Sequence, residues 1–241
     1  VSREGESALS STFMPDGRLA YGVRTTDRWN IISVAVDGTD RRVESDSQRD
    51  YWAPTFSAHG GGMICFGPGP PGEGPTFDSS TPGPFLVDNR QTAKLPDRTI
   101  RLWAIRGYFP ALSPEGNQVA SDEGFHGIVI SELDGTSMRD AYRPASQHAW
   151  RPTWSKDNMW LACTVGPTFA APEAETDIWK FRTDGSEKVN LTAGSAANDA
   201  FPDFSPDGTQ IAFRSGRDGN HEIYLMNRDG GGLRRLTHHD A

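Results

Sequence analysis

One motif recurs five times along the chain, and it limits the possible folds more than any other feature. Its clearest copy is Phe201-Pro202-Asp203-Phe204-Ser205-Pro206-Asp207-Gly208, followed by Ile211-Ala212-Phe213, Asp218-Gly219-Asn220, Ile223-Tyr224-Leu225-Met226 and Asp229-Gly230. A second copy runs from Trp150-Arg151-Pro152 through Leu161-Ala162-Cys163 to Asp184-Gly185. A third runs from Phe109-Pro110 and Ser113-Pro114-Glu115-Gly116 to Asp134-Gly135. Looser copies begin at Ala53-Pro54 and at Phe13-Met14-Pro15-Asp16-Gly17. Counted from Pro15, Ala58, Pro114, Lys156 and Pro206, successive copies lie 43, 56, 42 and 50 residues apart. A period near 40–45 residues that holds several short apolar runs is the signature of a propeller blade.

Each unit reads as four short strands. The first ends before Ser-Pro-Asp-Gly, the second is the Ile-Ala-Phe run, the third the Ile-Tyr-Leu-Met run, and the fourth follows Asp-Gly. Asp-Gly between apolar runs favours a hairpin, because Gly accepts positive φ and Asp tolerates it. The acids Asp16, Glu115, Asp157 and Asp207 are therefore read as turn holders rather than catalysts. The 26 glycines and 17 prolines among 241 residues support many short elements and turns. The expected fold is all-β: a single domain over 1–241, a propeller of four-stranded antiparallel blades. The blades fall near 8–45, 50–103, 106–143, 148–193 and 198–238. Five blades is the simplest count and six the alternative. The Gly/Pro-rich stretch 67–84 cannot build a core and is expected to be a surface loop.

Ser205-Pro206-Asp207-Gly208 with Ile211-Ala212-Phe213, Asp218-Gly219-Asn220, Ile223-Tyr224-Leu225-Met226 and Leu236-Thr237 resembles the TolB-type, WD40-like propeller repeat. The resemblance is strongest in the last unit, and in the second unit Ala58-His59 replaces Pro-Asp. It implies a rigid platform for a protein partner in an envelope complex, hence an extracytoplasmic location, periplasmic or secreted. Related propellers also occur in sugar-acid lyases and serine peptidases.

The remaining residues narrow the chemistry. The formal net charge of -8 disfavours nucleic acid and anionic lipid as partners. No apolar run approaches the roughly 20 residues of a membrane span. The opening Val1-Ser2-Arg3-Glu4 has no basic stretch leading into an apolar one, so no leader is expected in these residues. Cys65 and Cys163 hold equivalent positions in blades two and four, too far apart to bond, and are expected to be free and buried. The six histidines show no zinc spacing, and the dense cluster His238-His239-Asp240 is only a weak metal candidate. Asp218-Gly219-Asn220-His221-Glu222 lacks the alternating acids of a calcium loop and reads as a hairpin. Asn190-Leu191-Thr192 is a glycosylation sequon in form. Neither a nucleophile elbow nor a phosphate-binding loop occurs. No catalytic residue, metal or cofactor is assigned.

Function is therefore expected where each blade's first strand begins, at the mouth of a central channel. Alignment on Pro54, Pro110, Pro152 and Pro202 brings Asp50, Trp52, Arg106, Tyr108, His148, Trp150, Arg151, Asn198 and Asp199 to that end. Aromatic rings interleaved with polar groups suit a peptide or a glycan. The competing reading packs the aromatics between blades. The first expectation is a non-enzymatic module that binds a protein or peptide. A lectin-like propeller is the alternative, and a lyase or a peptidase's propeller stands behind both.

Overall fold

The computed structural model describes residues 7–14, 16–24, 29–35, 37–44, 52–56, 63–66, 84–87, 108–123, 126–132, 137–167 and 174–238. They form β structure throughout, in five antiparallel sheets. The first sheet runs β1 (Ser7–Phe13), β2 (Leu19–Arg24), β3 (Trp29–Val34), β4 (Arg42–Val43) in chain order. The second has three described strands, β5 (Trp52–Phe56), β6 (Met63–Phe66) and β7 (Pro84–Val87). The third comprises β8 (Tyr108–Leu112), β9 (Gln118–Asp122), β10 (Ile128–Glu132) and β11 (Arg139–Tyr142). The fourth comprises β12 (His148–Trp154), β13 (Trp160–Gly166), β14 (Asp177–Arg182) and β15 (Lys188–Asn190). The fifth comprises β16 (Asp199–Phe204), β17 (Gln210–Ser215), β18 (Glu222–Asn227) and β19 (Arg234–Arg235). Four of these are four-stranded meanders with one strand per predicted run. Residues 67–83 of the Gly/Pro-rich stretch, and the position of a fourth strand in the second repeat, lie outside the described residues.

The turn chemistry follows the sequence. Asp207 Oδ1 accepts bonds from Ser205 Oγ (2.6 Å), Thr209 N (3.0 Å) and Thr209 Oγ1 (2.8 Å), while Ser205 Oγ accepts from Gln210 N (3.0 Å). The fourth repeat copies this with Ser155 and Asp157, and Asp157 Oδ1 accepts from Met159 N at 3.1 Å. The next position needs a left-handed backbone: Gly208 has φ 74°, and Asn158, its counterpart, has φ 62°. Asn is one of the few side chains that tolerates that region. Asp37 and Asp184 accept from residues two positions on in the same way at the third turn of their repeats. The turn assignment for Asp134 lies outside the described residues.

Hydrogen bonds to Ser205 and Thr209 hold the Asp207 carboxyl at about 2, below its ordinary 3.8. A carboxylate with a lowered folded value stabilises the fold above its unfolded value and loses that contribution as pH falls toward the folded one. The gap in urea midpoint between wild type and Asp207→Asn is therefore expected to be full above about pH 4 and to close toward about pH 2. A gap that stays constant over this interval would show that the carboxylate does not hold the turn.

The chain divides into two compact units, 1–119 with 131–137, and 120–130 with 138–241. In the first, Tyr21, Val23, Ile32 and Val34 form an apolar cluster. Beside it, the buried Arg18 donates to Ser33 Oγ at 2.9 Å and to Asp40 Oδ2 at 2.7 Å. In the second unit, Trp160, Ala162 and Ile178 of the fourth sheet pack against Phe204, Ile211, Phe213, Tyr224 and Met226 of the fifth. All seven residues of β13 are buried, as a strand covered on both faces requires. Cys163 is free and buried within it, and burial pushes its thiol far up, leaving it unreactive. The Cys65 side chain lies outside the described residues.

Two motifs that looked like sites are structural. Thr192 Oγ1 of the sequon donates to Asp177 Oδ1 at 2.9 Å and accepts from Ile178 N at 3.0 Å, tying the end of the repeat to its third strand. Asn190 Nδ2 donates to Asp177 Oδ2 at 2.9 Å. The fifth sheet repeats the arrangement: Thr237 Oγ1 accepts from Ile223 N at 2.9 Å and donates to Glu222. Glu222, buried, also binds Arg235 at 2.7 Å. Asp218-Gly219 turns between β17 and β18, with Gly219 at φ 102°. The hairpin reading of that segment holds.

A strained bulge at the start of the repeat

In the motif's first strand the proline interrupts the ladder. Its missing N–H makes it tolerable only where pairing is broken. The pairing of β12 with β13 shifts register between Trp150 and Thr153, and that of β16 with β17 between Ala200 and Asp203. The residue before the proline takes the left-handed region in three repeats: Phe109 at φ 47°, Arg151 at 60° and Phe201 at 59°. None is glycine, and a residue before proline ordinarily stays extended. Such a position stores on the order of 1–3 kcal/mol, and strain of this kind concentrates at functional sites. The neighbouring repeat helps hold it, since Phe201 N donates to Thr164 Oγ1 at 2.9 Å.

A bulge restarts the alternation of side chains. In β12, Arg151 and Thr153 reach toward solvent while Trp150, Pro152 and Trp154 are buried. β16 has the same pattern, with Phe201 and Asp203 reaching out. These four positions meet across the two sheets. Thr153 Oγ1 donates to Asp203 Oδ1 at 2.9 Å, and the Arg151 guanidinium lies 5.5 Å from the centre of the Phe201 ring. Arg214 of β17 approaches the same ring to 4.6 Å. Protein crowded around Asp203 desolvates its carboxyl and pushes it up although the side chain reaches solvent, against the pull of the Thr153 hydroxyl and the Arg151 charge. Burial likewise lowers Arg151 and Arg214. The arrangement places two cations and one aromatic face beside a single acid, a surface suited to recognition by charge and stacking.

The sequence-predicted residues separate into three groups. Arg151 stands on this surface. Asn198 adjoins it, accepting from Arg214 and donating to Ala174 O at 2.7 Å. His148 is partly exposed at the start of β12, its ring stacked 5.7 Å from that of His126. Trp150, 3% exposed, packs in the core, and Asp199, fully buried, holds an ion pair. Asp199 accepts both bonds from the terminal nitrogen of Arg217, each at 3.0 Å. The bulge explains the change for Trp150: one extra residue swaps the face on which each side chain falls. Trp52 and Tyr108 open β5 and β8, with their side chains outside the described residues, as are Asp50 and Arg106. Sequence reasoning missed Phe201 as a partner of Arg151, and missed Arg214 altogether. A signal for Arg214 existed, because the end of a second strand lies beside the start of the first, and Ala200 pairs with Arg214.

No protein-family model matches the chain. It is 32% identical over 120 residues to the TolB homolog of Chlorobium luteolum, a match covering 48% of this chain and 26% of that protein. The solved structure of TolB from Acinetobacter baumannii superimposes with a TM-score of 0.66 at 20% identity, over 95% of this chain and 56% of that one. A solved oligogalacturonate lyase in complex with manganese superimposes at 0.59 with 16% identity, over 100% of this chain and 67% of that one. The chain therefore carries an all-β propeller fold built of four-stranded antiparallel blades. Within that class its repeat is of the TolB type, and a TolB homolog and a TolB structure are among the proteins it is similar to. The matched stretch is about a quarter of the curated relative, so that protein's activity is not transferred with the fold.

Proposed function

We propose that this chain is a non-enzymatic binding scaffold of five blades that recognises a protein or peptide partner at the channel mouth, where the first strands begin. The observation that supports this most is the left-handed residue before proline, kept in three repeats with a different side chain each time: Phe109, Arg151 and Phe201. A backbone device repeated within the chain with a different side chain each time suits one irregular partner better than several equal sugar pockets. Arg151, His148 and Asn198 belong to the contact surface, with Asp50, Trp52, Arg106 and Tyr108 at the corresponding places of other repeats. Trp150 and Asp199 support it from beneath. An extracytoplasmic location follows from the TolB resemblance.

Parallel peptide and glycan arrays, probed with wild type and with Arg151→Ala/Phe201→Ala, test this reading. Retention of peptides by wild type, reduced about tenfold or more in the double variant, is the expected result. Retention confined to sugars, or binding that the double variant leaves intact, would overturn it.

A further inference from the structure

We propose that Arg151 and Arg214 form an anchor for a carboxylate carried next to an apolar group, and that the partner is an acidic peptide segment. This rests on the reading of a peptide-binding surface above and names the chemistry that the surface selects. Both guanidiniums approach the Phe201 ring, at 5.5 and 4.6 Å. Among the described residues, Arg214 makes no ion pair. Its hydrogen bond goes to the neutral amide oxygen of Asn198, and its Nε is buried with no partner. A partly exposed cation beside an aromatic face, with no acid paired to it among the described residues, is a ready receiver for an anion. Asp203 accepts from Thr153 and balances part of the Arg151 charge, which leaves Arg214 the stronger attraction for an anion. The partly exposed Phe201 ring, close to both guanidiniums, offers an apolar surface to the group bearing the carboxylate. The positive site is local, in a chain whose formal net charge is -8. An acidic segment is thus drawn to this spot on a chain of net negative charge, which favours this docking place over others. A peptide supplies both parts of the ligand, a Glu or Asp beside a Phe or Leu, within one short stretch.

The test offers the immobilised protein a pool of short peptides in which Glu and Gln occur equally, beside Phe, Leu and Ser, and reads the bound fraction by mass spectrometry. Wild type is expected to enrich Glu over Gln about tenfold, in line with a charge-assisted hydrogen bond, and less so at high salt. Arg214→Met and Arg151→Met, each checked for an unchanged circular dichroism spectrum, are expected to bring the ratio close to one. The two variants are independent, so a folding failure in one leaves the other to decide. Peptides retained with no Glu preference, or a preference that survives in both folded variants, would overturn the anchor and leave the binding scaffold standing. Retention of no peptide at all would overturn both. Retention of uronic-acid oligomers in place of the peptides, lost in the same variants, would overturn the peptide assignment.

Discussion

Replacing Arg217 by methionine is expected to destabilise the protein by about 3–5 kcal/mol, the range for stripping a buried charge of its partner. Asp199 is fully buried and its carboxylate receives both bonds from Arg217 at 3.0 Å. Arg217 is itself placed by Ser215 Oγ at 2.8 Å and lies 4.9 Å from the Tyr224 ring centre and 5.5 Å from that of Phe213. Methionine keeps much of the packing volume and removes the charge, so the loss would report the orphaned carboxylate. Adding Asp199→Asn to that variant is expected to recover part of the stability, since the buried charge then disappears with its partner. Urea unfolding at neutral pH measures both. A single variant within about 1 kcal/mol of wild type, the level of an exposed pair, would show that the carboxylate finds other compensation.

Phe181→Ala is expected to cost a similar amount, about 3–5 kcal/mol for an aromatic side chain removed from a core. Phe181 is fully buried on β14 and pairs with Leu161 of β13. Its ring lies 5.0 Å from that of Tyr142 on β11, so it joins neighbouring repeats as well as filling its own sheet. Burial pushes the Tyr142 hydroxyl up to about 12, in keeping with the dry packing around it. Phe181→Leu, which leaves a smaller void, should lose clearly less than Phe181→Ala. Equal midpoints for the two variants would mean that the neighbours collapse into the space, and that the junction of repeats is looser than the packing indicates.

The repeat was legible because it depends on local chemistry. Ser205 and Asp207 satisfy backbone donors within five residues of themselves, so the same letters make the same turn wherever they occur. The free, buried Cys163 was equally readable, because its place in an apolar run between turns determines its surroundings. The candidate surface was legible only in part. Arg151 and Asn198 emerge from the alignment on proline, whereas the same alignment sends Trp150 outward and overlooks Arg214. Nothing local reports the bulge, since a residue before proline is ordinarily extended.

What the linear order of residues determined by itself is the number of motif copies, the four strands in each of the first, third, fourth and fifth, and the side chains that close the turns. All of these involve partners a few positions apart. Folding in three dimensions decided which way the first strand's side chains face and which cations meet at Phe201. Both depend on pairing with a neighbouring strand, where a single inserted residue reverses every face beyond it. They depend also on groups as distant as Arg151, Phe201 and Arg214, brought together by packing between repeats.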